Sequence, residues 1–346
     1  MKKILLILFI LLIIGVSVGA WIFLGPATGF DAKKEALYIR SNAATKEAVM
    51  DSLRANKIIK NESLFTLVAD RMNYWQSIKP GKYEIDKGSS VIEIVRQLRN
   101  GRQTPVNVTI TKVRTKEDLA KLIGRRLEVD SAQMLSYINN NDFLKKHEMN
   151  AEEAMTLVLP DTYTYFWNAT PQKVFEKFVE ASEKYWTAER KKKAEALGIT
   201  PIQAYIVASI VEEESNKLEE KDTIASVYLN RIRIGMPLQA DPTVKFALKD
   251  FALTRIYGEH LNVVSPYNTY RNRGLPPGPI CTPSRKTIDE VLSAPQTSYL
   301  YFVANPALNG THVFSSNYAE HMTKAKQYQQ AYKEWAAARN NATTAP

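Results

Sequence analysis

The 346-residue chain has a single cysteine, Cys281, and only four histidines. One thiol excludes any intrachain disulfide, so the fold must rest on its apolar core. The histidines are scattered without metal-ligand spacing, and no metal or cofactor is expected. Zinc-finger spacing, a helix-turn-helix pattern and an RNP-like aromatic motif are also missing. The net charge of +10 is therefore read as a generally basic surface suited to an anionic envelope polymer or lipid, and nucleic acid is not an expected partner. A thiol site pairing Cys281 with His312 or His321 is weighed and set aside, because Cys281 lies between Ile280 and Thr282-Pro283 with no activating helix N-terminus.

Charge is absent from Ile4 to Phe30, behind Lys2 and Lys3. Ile4–Leu24 is almost wholly apolar and as a helix is about 31 Å long, enough to cross a bilayer. Val18-Gly19-Ala20 would serve as a signal-peptide cleavage site, but the apolar run is longer than a usual signal core, and an uncleaved anchor is preferred. The two lysines put residues 1–3 in the cytoplasm and everything after residue 24 outside it.

With 45% hydrophobic and 24% charged residues, the remainder reads as an α+β protein long enough for two domains. In residues 36–102 a strand (Ala36–Ile39), two helices (Thr45–Asn56, Glu62–Met72) and a second strand (Lys82–Ile85) precede a helix at Ser90–Leu98. This βααβ order, with the phrase PGKYEI (Pro80–Ile85), resembles the LysM module, which binds N-acetylglucosamine polymers. A packing unit without ligand affinity fits the same pattern. Residues 103–339 then form a mixed α+β domain with its motifs in 200–321, ahead of an expected disordered tail at 340–346. Within it, a strand is expected at Val106–Ile110 and helices at Lys116–Leu127, Ser131–Asn139 and Ala151–Leu157. A loop at Leu159–Tyr163 leads into one long helix from Thr170 to about Ala196.

The stretch Thr200–Asn216 organises this domain. Thr200 as N-cap, Pro201 in the first helical position and Gln203 as the reciprocal partner define a helix start. Val207, Ile210 and Val211 then form an apolar stripe that runs into Glu214, while Glu212 and Glu213 point elsewhere. Glu214 falls in the last turn, where the negative helix end and apolar neighbours both raise a carboxyl pKa, as a general acid requires. The rival reading of Glu212-Glu213-Glu214 is a solvated helix end. A further helix, Asp222–Ile234, leads to loops rich in Pro, Gly, Tyr and Asn, residue types suited to gripping sugars and N-acetyl groups. Gln239, Asn268 and Tyr270 are the candidate substrate contacts, with Asn230 behind them. Asp241 is the nearest possible second carboxylate, though in Asp-Pro it is expected chiefly to cap a turn. Strands at Tyr299–Val303 and from His312, and a helix at Tyr318–Arg339, close the fold.

ASIVEEES (Ala208–Ser215), VYLNRIRIGMPLQADPTV (Val227–Val244), SPYNTY (Ser265–Tyr270), GLPPGPI (Gly274–Ile280), YLYFVA (Tyr299–Ala304) and THVFSSNYAEH (Thr311–His321) together resemble the endolytic murein transglycosylases, the YceG-like or MltG family. The resemblance implies a single membrane-proximal helix, an extracytoplasmic lyase domain and a catalytic glutamate in a motif close to E-x-E-T. That glutamate is Glu214 here, with Ser215 where the family usually has threonine. It further implies peptidoglycan glycan strands as substrate, 1,6-anhydro products, a role in terminating or trimming nascent glycan, and peptidoglycan synthases as partners. A non-catalytic, membrane-tethered wall-binding scaffold is the alternative.

Overall fold

Helix capping, apolar burial and short antiparallel pairing account for most of the architecture. The computed structural model describes residues 2–343, with side chains to residue 339. The chain divides into two compact units. The first takes in the chain up to Val108 together with Ile123–Asp130 and Thr164–Pro171, so it extends beyond the expected boundary at residue 102; the second holds the rest.

In the first unit, α1 (Lys2–Leu24) is long and apolar enough to cross a membrane, and none of its residues is buried. Strand β1 (Lys34–Ile39), helices α2 (Lys46–Ala55) and α3 (Glu62–Arg71), and strand β2 (Gly81–Asp86) follow in the expected order. β1 and β2 pair antiparallel, with Leu37 opposite Tyr83 and Glu35 opposite Ile85. Leu37, Ile39, Tyr83 and Ile85 turn inward onto Val49, Leu53, Phe65 and Val68. The alternation follows from the two-residue period of a strand covered on one face. Helix α4 (Val91–Asn100) begins with a complete Ser90/Glu93 capping box and ends at Gly101, whose φ of 67° is the left-handed conformation that glycine adopts at least cost.

Strands β3 (Val106–Ile110) and β4 (Asp161–Tyr165) pair with each other, and the division between the units falls within both. In place of the loop expected at 159–163, alternation at Tyr163 and Tyr165, both buried, makes Asp161–Tyr165 a strand. Between these strands lie α5 (Lys116–Gly124), α6 (Ser131–Ile138) and α7 (Asn141–Lys146). The helix expected at 151–157 is a short 3-10 turn, Glu153–Leu157. The long helix expected to Ala196 breaks into α8 (Pro171–Tyr185) and α9 (Ala188–Ala196), because Thr187 restarts it as an N-cap accepting from the Arg190 amide. Arg190 consequently sits in the first turn of α9, paired with Asp289.

Helix α10 (Pro201–Glu214) is the centre of the second unit. Every residue from Ala204 to Val211 is buried, packed by α11 (Lys221–Arg233), α12 (Asp241–Leu248) and α13 (Arg285–Leu292). A helix apolar on all sides is a core helix, not the amphipathic one expected. Each fully buried Ile or Val contributes about 2 kcal/mol, so the rotation of α10 is fixed by packing all round it. β5 (Tyr301–Ala304) and β6 (His312–Ser315) pair antiparallel, Phe302 opposite Phe314, and carry α14 (Tyr318–Thr343). α14 runs past the expected end at Arg339, so residues 340–343 of the expected tail are helical; residues 344–346 lie outside the described residues.

Candidate active site

The helix that presents Glu214 has a fixed start and a fixed end. Thr200 Oγ1 accepts from the Gln203 amide at 3.2 Å, and Gln203 Oε1 accepts from the Thr200 amide at 2.9 Å. At the other end Ser215 leaves the helix in an extended conformation. Its hydroxyl donates to Glu220, whose other oxygen accepts from the His312 amide at 2.8 Å. The hydroxyl at 215 thus ties the end of α10 to β6.

The three consecutive glutamates face three environments. Glu212 is paired with the Lys221 ammonium at 2.7 Å, both side chains nearly buried, and also accepts from the Thr287 hydroxyl. Glu213 meets Lys112 at 3.0 Å and Arg114 at 3.0 Å. Burial opposes its charge, but hydrogen bonds from Arg114 and Lys112 outweigh that and hold its pKa below the ordinary glutamate value. Glu214 has no ion-pair partner among the described residues; its Oε1 accepts from Tyr228 Oη at 2.6 Å. Burial pushes this carboxyl up to about 7, Asp241 adds to the rise, and the Tyr228 hydrogen bond, Lys245 and Arg231 act against it. A solvated helix end is therefore excluded, since all three carboxylates are at least partly buried.

Glu214 opens into a cleft of about 300 Å³ lined also by Tyr228, Arg231, Gln239, Asp241, Tyr270, Tyr301 and His321. Of the sequence-derived candidates, Gln239, Asp241 and Tyr270 share this cleft with Glu214. Gln239 has φ 49°, a left-handed conformation unusual for a side chain of this kind, with its amide donating to Thr269 O at 3.1 Å. Asp241 does not cap a turn as expected. It opens the first turn of α12, whose N-cap is Ala240, and accepts from Tyr270 Oη at 2.6 Å.

Asn268 and Asn230 are corrections. Asn268 is fully buried; its amide donates to the carbonyls of Leu261 and Val263, and its oxygen accepts from the Tyr270 amide. It builds the loop that carries Tyr270 and offers nothing to a ligand. Asn230 likewise donates to the carbonyls of Thr297 and Tyr299 and accepts from Arg233, fastening α11 to the segment before β5. A side-chain amide reads the same in sequence whether its partner is a sugar or a backbone.

Arg231 was missed. It is 7% exposed, donates to the carbonyls of Leu300 and Leu238 at 2.7 and 2.6 Å, lies 5.3 Å from the Tyr301 ring centroid, and lines the cleft. Its spacing from Tyr228, three residues along α11, places both on one face and could have signalled it. Tyr301, Tyr318 and His321 were also missed as cleft residues, although Tyr318 and His321 share the same three-residue spacing. Cys281 is 1% exposed with Sγ 3.4 Å from Ser209 O, and burial pushes its thiol well up, which leaves it unreactive. Among the described residues, no three of His, Cys, Asp and Glu come together in a group able to hold a metal ion.

In chemical terms the cleft offers one carboxyl able to exist as acid or carboxylate near neutral pH, a buried guanidinium, a Tyr–Asp pair and flat aromatic faces. A scan against family models matches residues 37–327 to the YceG-like family. The chain is 27% identical over 308 residues to the endolytic murein transglycosylase of Bacillus subtilis (strain 168), covering 83% of this chain and 82% of that protein. It is 24% identical over 298 residues to the endolytic murein transglycosylase of Streptococcus pneumoniae (serotype 2, strain D39), covering 76% of this chain; it spans about half, 53%, of that relative. Among solved structures, a YceG-like protein from Listeria monocytogenes is similar with a TM-score of 0.57 and 25% identity, covering 84% of this chain and 98% of the other.

Proposed function

This chain belongs to the YceG-like family, and we propose that it is a membrane-tethered endolytic murein transglycosylase. Its substrate would be the β-1,4 bond between N-acetylmuramic acid and N-acetylglucosamine within a glycan strand. The observation that carries the reading is Glu214, a carboxyl without an ion-pair partner among the described residues that burial brings to a pKa of about 7 inside an aromatic-lined cleft. The names of the similar proteins support the same substrate.

In the proposed reaction Glu214 gives its proton to the leaving glycosidic oxygen as the bond to C1 of the muramic residue breaks. The resulting carboxylate takes the proton from that sugar's C6 hydroxyl as the hydroxyl oxygen bonds to C1. The products are a 1,6-anhydro end and a new free hydroxyl, and Glu214 finishes protonated. Acid and base are the same group. The intramolecular nucleophile needs no second carboxylate to activate water, because it is already held beside C1. Tyr228 aims the carboxyl, while Arg231 and the Tyr270–Asp241 pair form the polar wall against which the sugars would lie.

Asp241 in the same cleft supports a second reading, a hydrolase with two carboxylates. Mass analysis of digested, purified glycan strands separates them. Anhydro ends, one water lighter than reducing ends, are the expected result; reducing ends would assign a hydrolase.

Helix α1 is proposed as an uncleaved anchor with the remainder extracytoplasmic, which is contradicted if the native protein begins near Trp21. The β1-α2-α3-β2 unit is proposed, as LysM-like, to hold glycan. Protein lacking residues 36–102 should then sediment less with peptidoglycan, and equal sedimentation would remove that role. Termination or trimming of nascent strands beside peptidoglycan synthases is the expected context, to be tested by crosslinking in cells; capture of no synthase would count against it.

A further inference from the structure

The face of α14 that enters the catalytic cleft continues beyond it. Tyr318 and His321 line the cleft, and further along Tyr328, Tyr332 and Trp335 line a separate groove of about 360 Å³. The positions 318, 321, 325, 328, 332 and 335 alternate steps of three and four, so they form one stripe along the helix. The rings follow one another closely, with centroids 6.1 Å apart for Tyr328 and Tyr332 and 5.7 Å for Tyr332 and Trp335. Tyr332 and Trp335 are 38% and 45% exposed.

We propose that this groove is a distal glycan-binding platform, which grips the same peptidoglycan strand whose scissile bond lies at Glu214. The proposal rests on the reading of the cleft as the glycan site. Continuity argues for one ligand across both: β5 contributes Tyr301 and Phe302 to the cleft and Ala304 to the groove, and α14 lines both. From His321 to Tyr328 is about 10 Å along the helix axis, the span of one disaccharide repeat, so a strand leaving the cleft reaches the first ring within a repeat. The lining matches a sugar. Pyranose rings present C–H faces that suit the electron-rich faces of Tyr and Trp, and Asn305, Thr311 and His312 also line the groove. Arg255 lies 5.9 Å from the Tyr332 ring and Arg339 5.3 Å from Trp335. Two cations beside these rings suit a strand bearing acidic peptides.

The test uses the full-length chain in the Glu214→Gln background, which leaves strands uncut, and measures affinity for purified long glycan strands. Replacing both Tyr332 and Trp335 by Ala should weaken binding about tenfold, the equivalent of one good aromatic contact, while replacing both by Phe should restore it. Equal affinity of the Ala variant and its parent would overturn the platform and leave the role of Glu214 intact. Failure of Phe to restore binding would overturn it too, as would unchanged affinity accompanied by loss of a dimer, which would assign the groove to a second copy of the chain. Platform-dependent binding together with reducing ends in wild-type digests would keep the platform and discard the lytic reading.

Discussion

The two flanks of α10's last turn carry chemically identical side chains and do opposite things. On one flank Glu212 and Glu213 are answered by cations, Lys221 at 2.7 Å and Lys112 and Arg114 at 3.0 Å, and they fasten α10 to its neighbours. On the other, Glu214 receives one neutral hydrogen bond from Tyr228 and no cation within ion-pair distance among the described residues. Burial is common to both flanks. The partner decides whether a buried carboxyl becomes a structural anion or a proton donor poised near neutral pH.

The largest expected effect removes the catalytic flank. Glu214→Gln keeps the shape and the Tyr228 contact but loses the transferable proton, and cleavage of glycan strands should fall by on the order of a hundredfold or more. An active variant would break the comparison outright.

On the structural flank, Glu212→Gln leaves Lys221 buried without its partner and should cost about 3 kcal/mol of stability, read as a lower urea midpoint with an unchanged slope. The buried cation and the Thr287 hydroxyl facing Glu212 make the substitution costly to stability, and folded Glu212→Gln protein should still cut.

Glu214 should also reveal itself as a cost to the fold. Its folded pKa of about 7 lies above the ordinary glutamate value of 4.5, so the ionised group destabilises the native state progressively as pH rises from the lower value to the higher. Glu214→Gln should therefore match wild type below about pH 4.5 and exceed it by roughly 3 kcal/mol above pH 7. Denaturation midpoints for both proteins across that range check the sign, and a variant equally stable at every pH would mean that Glu214 titrates normally.

The smallest effect sharpens the account. Tyr228 Oη stabilises the carboxylate, so Tyr228→Phe should raise the Glu214 pKa further and move the alkaline limb of kcat/KM to higher pH by about one unit. A limb that stays in place would show that Tyr228 serves geometry alone.

Local signals in the sequence were reliable where local chemistry decides. Thr200 and Gln203 announced the start of α10, and the family phrases single out Glu214 as the proposed acid. The reason given for Glu214's direction was not the one the structure supplies. α10 is apolar all round, so no stripe aims the carboxyl; the packing of α11, with Tyr228 and Arg231 on one face, does. Asn268 and Asn230 could not be told from ligand contacts because their partners are carbonyls distant in the chain or hidden in a loop. Asp241 was misjudged because Pro242, read as a turn former, instead stands at the start of a helix.

The central claim, that burial without a cation holds Glu214 protonated near neutral pH, is tested most directly by titrating its side-chain carboxyl. In ¹³C NMR of Glu-labelled protein, the resonance missing from Glu214→Gln identifies it. The account predicts a midpoint of about 7; a midpoint near 4.5, the ordinary glutamate value, would contradict it.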